Sequence, residues 1–208
     1  MKELDLKTRL IVAQYAQESG DKIKRYVASG LNGHVFETEH GFALKVTGDL
    51  REVHMALLSH RNKLNRCVDY YDFHKISDDE FVLKQTFLNT AGIEQWFMEF
   101  EDALEEAEWD FNFVDVRALN LSGGAKKLLK DLEGLVAEAE SSGFEFTDLH
   151  DGNLGYDSNG LLRAFDQRTL NMSDAKVKKS VEVMYLEFEP HKRECVSLKN
   201  RSEVKLVR

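Results

Sequence analysis

Cysteine and long apolar runs are scarce in this chain, and each scarcity excludes a class of protein. The two cysteines, Cys67 and Cys195, lie far apart without a Cys-x-x-Cys spacing, which argues against a disulfide scaffold or a zinc site. No run approaches the roughly 18 apolar residues of a membrane span, and the N-terminus lacks an apolar signal-peptide core. We therefore expect a cytoplasmic protein with no membrane partner.

Basic residues are too few, and too mixed with acidic ones, to form an obvious nucleic-acid-binding patch. The formal net charge is −9, and such a chain repels a polyanion unless its basic residues are segregated. We therefore expect no nucleic-acid partner. With 208 residues, 42% apolar and 31% charged, the composition is that of a globular protein with one domain or two small lobes. The sequence leaves the oligomeric state open.

Turn residues and hydrophobic spacing divide the chain into a strand-rich first part and a helix-rich second part. The single proline, Pro190, leaves glycine to mark most turns. We predict helices over 3–18, 50–58, 92–109 and 122–141, and strands over 23–28, 35–37, 42–46, 68–76, 81–86 and 161–165. The change of character predicts an N-terminal lobe over 1–88 and a C-terminal lobe over 89–208.

Some predicted helices have a recognisable apolar or charged face. In the first helix the apolar residues recur every three or four positions, at Leu6, Leu10, Ala13 and Ala16. The helix over 92–109 carries an acidic face, which is either solvated or recruits a basic partner. The segment 171–208 is a charged tail to which the sequence assigns no element.

The segment 146–156 carries the most informative polar residues. Asp148 precedes Asn153 by five positions, and Asp166 follows thirteen positions later, beyond a hairpin turn at 157–160. A carboxylate and an amide oxygen on one tight loop suit phosphoryl transfer, in which one orients the acceptor hydroxyl and the other binds magnesium. Asp148 or Asn153 alone more often forms an Asx turn, but the joint spacing of the three residues favours the functional interpretation.

A glycine-containing turn and a strand lysine in the first part support this interpretation. The turn fits a Gly-x-Gly-x-x-Gly-x-Val pattern that includes Gly30, Gly33 and Val35, with Ala28 in place of the first glycine. Glycines let backbone amides approach phosphates, although two of them in a hairpin are more typical of a plain turn. Lys45, ten residues after Val35, matches the Val-Ala-x-Lys strand pattern of a phosphate-pairing lysine.

These segments together resemble the protein-kinase-like superfamily over roughly residues 25–170. The resemblance implies a compact α+β fold of two lobes, with a reduced C-terminal lobe and with ATP and Mg²⁺ bound between the lobes. It implies these roles: Asp148 as catalytic base, His150 near the transferred phosphoryl group, Lys45 on the phosphates, Asn153 and Asp166 on magnesium, and Gly30, Asn32, Gly33 and Val35 in the nucleotide loop.

A kinase also needs an acidic partner for the lysine, and the sequence leaves that partner open. Glu52 is the candidate, only seven residues after Lys45. The arrangement Asp49-x-x-Glu52 is equally a helix-capping pattern. His54 or another acid could take the place of Glu52.

Several positions depart from the kinase pattern. Gln167-Arg168 follows Asp166 where many kinases have Phe-Gly, Phe146 stands where a histidine is usual, and no Ala-Pro-Glu element follows. The compact motifs look closest to host-modifying serine/threonine kinases of bacteriophages, which implies an ATP-dependent kinase with a protein substrate. Two alternatives stay open: a small-molecule phosphotransferase of the aminoglycoside type, and a non-catalytic kinase-like binding protein.

Overall fold

Strands fill the first part of the chain and helices most of the second. The computed structural model describes residues 6–30, 33–62, 64, 66–111, 114–116, 118–141, 146, 149–169 and 172–204. In chain order the elements are α1 (Leu6–Glu18), β1 (Ile23–Gly30), β2 (Gly33–Thr38), β3 (Phe42–Thr47), α2 (Leu50–Asn62), β4 (Tyr70–Ser77), β5 (Glu80–Thr86), α3 (Ile93–Phe97), α4 (Glu101–Glu106), α5 (Gly123–Ser141), β6 (Leu154–Tyr156), β7 (Leu162–Ala164) and α6 (Asp174–Val204).

The predicted α+β class is confirmed: among the described residues, an antiparallel sheet occupies the first part of the chain and most of the helices lie in the second. The strands of the first part form one antiparallel sheet in the order β1-β2-β3-β5-β4. β6 and β7 form a separate antiparallel ribbon. Within the described ranges, no helix is both long and apolar enough to cross a membrane.

The two faces of the five-stranded sheet have different partners. Directly opposed residues of neighbouring strands point to the same face, and the register pairs Lys45 with both Val35 and Leu83. Leu83 packs in the cluster that contains α2, so Lys45 lies on the α2 face. Leu44 and Val82 alternate to the other face, where they pack against α1.

Helix α1 buries a different face from the predicted one. Leu6 and Leu10 are 72% and 61% exposed. The buried residues are Thr8, Val12, Tyr15 and Ala16. The Tyr15 hydroxyl, which donates a 2.6 Å hydrogen bond to Asp72 of β4, fixes the helix with this face towards the sheet.

The prediction of a single helix over 92–109 is wrong. The structure has two short helices, α3 and α4, because Phe100 leaves the helical conformation with φ −137° and ψ −1°. The interruption brings three aromatic rings together: the Phe97 ring centroid lies 5.2 Å from that of Phe100 and 6.2 Å from that of Trp109. Burial of these rings in the core of the second part outweighs the continuity of one helix.

Helix α6 (Asp174–Val204) occupies most of the charged segment 171–208, for which no element is predicted. Val177, Val181 and Met184 of α6 are buried in the cluster that also contains α2, β4 and β5. By sequence these residues belong to the predicted C-terminal lobe, yet they pack on elements of the N-terminal lobe. The predicted boundary between residues 88 and 89 stays a prediction.

Two backbone bridges connect the β6–β7 ribbon to the first part of the chain. Asn89 pairs with Tyr156 through two 2.9 Å hydrogen bonds, and Ala164 accepts a 2.9 Å hydrogen bond from the amide of Val68. Gly155 lies at this joint, where a Cβ atom would come within 2.5 Å of the Leu88 Cβ. The ribbon that leads to Asp166 is thus fixed against the segment that enters the helical part.

Candidate functional site

Lys45 lies at the centre of a buried cluster of charges. Its Nζ atom lies 2.8 Å from Glu52 Oε1 and also contacts Asp166 Oδ1. The side chains of Lys45 and Glu52 are only 4% and 2% exposed, whereas that of Asp166 is 33% exposed. The cluster therefore joins β3, α2 and the end of the β6–β7 ribbon, with Asp166 on the side that faces solvent.

Glu52 is held in place by the residues at the start of α2. The Thr47 hydroxyl donates a 2.9 Å hydrogen bond to Glu52 Oε2 and accepts one of 3.1 Å from the amide of Asp49. Asp49 in turn caps α2, because its carboxylate accepts a hydrogen bond from the amide of Arg51. Of the partners that the sequence left open for Lys45, the structure places Glu52 against the ammonium, while His54 makes its hydrogen bonds elsewhere.

Burial and mutual attraction oppose each other in this cluster. Burial lowers the pKa of Lys45, but the neighbouring carboxylates of Glu52 and Asp166 outweigh that effect, so its pKa is raised. Burial raises the pKa of Glu52, and Asp166 adds to that rise while Lys45 opposes it. Lys45 is therefore fixed as an ammonium, and the Glu52 carboxylate depends on it.

Asp166 has an uncommon backbone conformation for a residue other than glycine. Its φ is +57°, in the left-handed region that aspartate tolerates better than most residues. Such conformations persist where the surrounding structure enforces them, and they concentrate at functional sites. The amide of Phe165, the preceding residue, donates a 2.9 Å hydrogen bond to the carbonyl of Asn153. This bond brings the two predicted magnesium ligands, Asn153 and Asp166, onto adjacent backbone segments.

The loop before β6 is a tight turn that fixes His150 and Asn153. Residues Asp151–Asn153 form a 3₁₀ turn, and the amide of Gly152 donates a 3.0 Å hydrogen bond to His150 Nδ1. Asn153 is buried, whereas the His150 side chain is about half exposed. Asp148, the predicted catalytic base, lies outside the described residues.

The described residues of the predicted nucleotide loop lie at the facing ends of β1 and β2. Gly30 pairs with Gly33, Val35 lies opposite Lys45 on the same sheet face, and Asn32 lies outside the described residues. A Cβ atom on Gly33 would come within 2.1 Å of the Val46 carbonyl oxygen. Packing of β2 on β3 therefore requires glycine at position 33, whatever the loop binds.

The described part of the site contains oxygen donors that suit Mg²⁺. Asp166 and Asn153 offer a carboxylate and an amide oxygen, the hard ligands that magnesium prefers. Within the described ranges no group of three or more His, Cys, Asp or Glu residues could hold a metal, so those side chains alone supply fewer than three ligands.

Sequence reasoning missed two threonines that contact residues of α2, Thr47 and Thr169. Thr47 holds Glu52, and its position two residues before the helix cap at Asp49 is the only signal that could have indicated it. Thr169 lies three residues beyond Asp166, and its hydroxyl contacts His54. No local pattern indicates this second contact, because the partners are far apart in sequence.

Comparison with known proteins adds little to this geometry. No protein-family model matches the chain, and no curated protein sequence matches it. Among solved structures, the chain is similar to the kinase PK-1 of Cydia pomonella granulovirus, with 18% identity and a TM-score of 0.48. The match covers 76% of this chain and 57% of that kinase, so the chain spans little more than half the length of PK-1. A likeness of this size does not indicate the activity of the chain.

Proposed function

We propose that this chain is an ATP-dependent phosphotransferase of the protein-kinase-like type. The observation that carries the proposal is the contact of Lys45 with both Glu52 and Asp166. A buried lysine held by a helix glutamate, next to an aspartate on a neighbouring ribbon, is the arrangement that kinases use on the phosphates of ATP. As a merely structural cluster it would carry a desolvation cost that apolar residues would avoid.

Each side chain has a role in the proposed reaction. The Lys45 ammonium binds the phosphates, and Glu52 keeps that ammonium charged and oriented. Asp148 orients the acceptor hydroxyl and accepts its proton, while His150 lies near the transferred phosphoryl group. The hairpin tip with Gly30, Asn32, Gly33 and Val35 covers the nucleotide. Mg²⁺ held by Asn153 and Asp166 would neutralise negative charge on the phosphate oxygens.

We propose serine or threonine hydroxyls of proteins as acceptors, on the strength of the motif resemblance to phage kinases that modify host proteins. In the small-molecule alternative, the acidic face predicted over 92–109 would attract a cationic substrate, and two findings weaken this. The helix is interrupted between α3 and α4. Glu99, moreover, already accepts hydrogen bonds from the amide and the hydroxyl of Ser122. The acidic residues therefore do not form one continuous helical face.

The nucleotide site is tested by the melting temperature in the presence of Mg²⁺ and ATP. A ligand that binds the folded state alone must raise the melting temperature, by an amount that grows with ligand concentration. We expect this rise for the parent and for Asp102→Asn, which alters an exposed carboxylate of α4. In Asp166→Asn we expect most of this rise in melting temperature to be absent. If the parent melts at the same temperature with and without the nucleotide, the proposed function is wrong.

Transfer and acceptor class are tested with ATP labelled on the γ-phosphate and a bacterial lysate. Phosphoserine or phosphothreonine in labelled proteins supports the proposed acceptors, whereas label in small molecules alone supports the alternative. We expect Asp148→Asn to reduce transfer by about 10²–10⁴-fold, the usual contribution of a general base. If Asp148→Asn retains full biological effect, the chain acts by binding and not by catalysis.

A further inference from the structure

Helix α2 has a second buried polar residue, His54, with partners on two other segments. Its Nδ1 lies 2.7 Å from the Thr169 hydroxyl, and its Nε2 lies 2.9 Å from the Ser180 hydroxyl of α6. His54 is only 4% exposed, and burial lowers its pKa. A neutral imidazole has one donor and one acceptor nitrogen, and a hydroxyl can serve either. Both ring nitrogens are therefore satisfied by this pair of neighbours.

His54 and Glu52 lie on opposite sides of α2. Two residues along an α-helix correspond to a rotation of about 200°. Glu52 therefore faces the sheet and Lys45, while His54 faces α6 and the segment that follows Asp166. Any rotation of α2 about its axis, or a shift along it, would move both contacts together. The hydrogen bonds of His54 thus resist displacements that would separate Glu52 from Lys45.

The start of α2 is tied to the same segment by further contacts. The Arg51 guanidinium donates hydrogen bonds to the carbonyls of Thr169 (2.9 Å) and Met172 (2.8 Å) and to Asp174 Oδ1 at the start of α6 (2.7 Å). Arg168 Nε lies 2.9 Å from a carboxylate oxygen of Asp49. The Arg51 and Arg168 side chains are 30% and 35% exposed, whereas His54 is a buried polar link between α2, Thr169 and α6.

We propose that His54 is a positioning residue: by bridging Thr169 and Ser180 it fixes α2 against α6, and it thereby holds Glu52 against Lys45. The value of this contact to catalysis rests on the proposed function, but the positioning of α2 does not. Helix α6 then contributes to the site through Ser180, against which α2, the helix that carries Glu52, is aligned. His54 itself touches neither nucleotide nor acceptor.

The test removes the partners of His54 and leaves the imidazole in place. Ser180→Ala and Thr169→Val each delete one hydroxyl, and Thr169→Ser retains it. Lys178→Ala is the matched control, because Lys178 also anchors α6 but binds Asp79 beyond β4 and not α2. We expect the two deletions to weaken Mg²⁺–ATP binding by about tenfold, as the loss of one buried hydrogen bond can do. Thr169→Ser and Lys178→Ala should stay within about twofold of the parent.

A double-mutant cycle separates positioning from general damage. If Ser180 acts through Glu52, Ser180→Ala should have almost no further effect on ATP affinity in a Glu52→Gln background. An effect of Ser180→Ala that is the same in both backgrounds would overturn the inference. Calorimetry gives the affinities, and the melting temperature of each variant without nucleotide shows that it is folded.

Amide hydrogen exchange of residues 50–62 gives a readout that needs no nucleotide. Exchange should become at least about fivefold faster in Ser180→Ala and Thr169→Val than in Lys178→Ala, since local opening of α2 becomes easier. Equal exchange in all three variants would show that His54 does not hold α2, whether or not the parent binds ATP. A parent that fails to bind ATP refutes the proposed function alone, and the exchange rates still decide the role of His54.

Discussion

The Lys45 ammonium is buried away from water, so its charge is stabilised by the carboxylates of Glu52 and Asp166. Glu52 is even less exposed than Lys45, and its carboxylate depends on this one ammonium and on the Thr47 hydroxyl. Removing one member of a buried ion pair leaves the other without compensation, which is the costly case for such pairs. The cost should fall on Glu52 more than on Asp166, whose side chain still reaches solvent.

Replacement of this lysine should destabilise the protein in a pH-dependent way. We expect Lys45→Met to lower the free energy of unfolding by about 3 kcal/mol at pH 8. Burial raises the pKa of Glu52 in the folded state, above the value of about 4.3 expected for the unfolded chain. Protonated Glu52 is therefore favoured by folding, and the loss should shrink as the pH falls towards 5.

Urea unfolding at pH 5, 6.5 and 8 measures this loss. Lys84→Met is the control, since Lys84 lies over the ring of Phe42 and pairs with Leu44, on the sheet face opposite to Lys45. A loss in Lys45→Met that stays constant over the three pH values would contradict the dependence of Glu52 on Lys45.

At the residue scale, the sequence predicted which residue types carry the site but not how all of them pair. Lys45 and Asp166 could be selected from motif spacing. Glu52 and His54 lie two positions apart on the same helix, and only the packing of α2 between the sheet and α6 decides which one reaches Lys45. That choice depends on contacts with residues more than a hundred positions away.

At the scale of elements, β6 passes close to the segment before α3 at Gly155. A Cβ atom on Gly155 would come within 2.5 Å of the Leu88 Cβ, whereas one on Gly123, at the start of α5, would meet nothing within 4 Å. Gly155→Ala should therefore lower the free energy of unfolding by about 1–3 kcal/mol, the usual cost of overpacking. Gly123→Ala, the matched control, should be neutral or slightly stabilising. Equal melting temperatures for the two variants would refute the close approach.

Prediction of the elements succeeded where one signal dominated. The α5 boundaries follow from the Ser122 hydroxyl, which accepts a hydrogen bond from the amide of Ala125, and from a regular apolar stripe. Helix α1 offers apolar residues on more than one side, so spacing alone favoured Leu6 and Leu10 over the face that packs on the sheet. In α6 the helical spacing of Val177, Val181 and Met184 could have indicated a helix. The many charged residues of the segment instead favoured a solvated tail.

At the scale of the whole molecule, the side chain of Asp157 supports one of the contacts between the β6–β7 ribbon and the first part of the chain. Asp157 accepts hydrogen bonds from the amides of Asn159 and Leu161 and from Arg163. The Arg163 guanidinium also donates one to the carbonyl of Cys67, in the segment before β4. Burial alone would raise the pKa of Asp157, but these hydrogen bonds outweigh it, so its pKa lies below the usual value. An ionised Asp157 therefore supports the contact of Arg163 with Cys67, which adds to the backbone bridges between the ribbon and the first part of the chain.

Acid should loosen this connection. A carboxyl group whose pKa is lowered by folding contributes stability above its unfolded pKa of about 3.9, and the contribution is lost as the pH falls through the folded value. At pH values below about 4, we expect the free energy of unfolding to decrease as the pH is lowered. The decrease should be less steep in Asp157→Asn. Urea unfolding between pH 2.5 and 7 measures both slopes. Parallel curves for the parent and Asp157→Asn would show that other carboxylates account for the acid sensitivity.

The packing of α6 on α2 also determines when the protein can complete its fold during synthesis. Val53, Ala56 and Leu57 share one apolar cluster with Val177 and Val181, which leave the ribosome more than a hundred residues later. Until then the nascent N-terminal part presents an uncovered apolar helix surface, the kind of surface that chaperones bind and that promotes aggregation. In a nascent chain stalled on the ribosome before residue 174, proteases should therefore still cleave the N-terminal part.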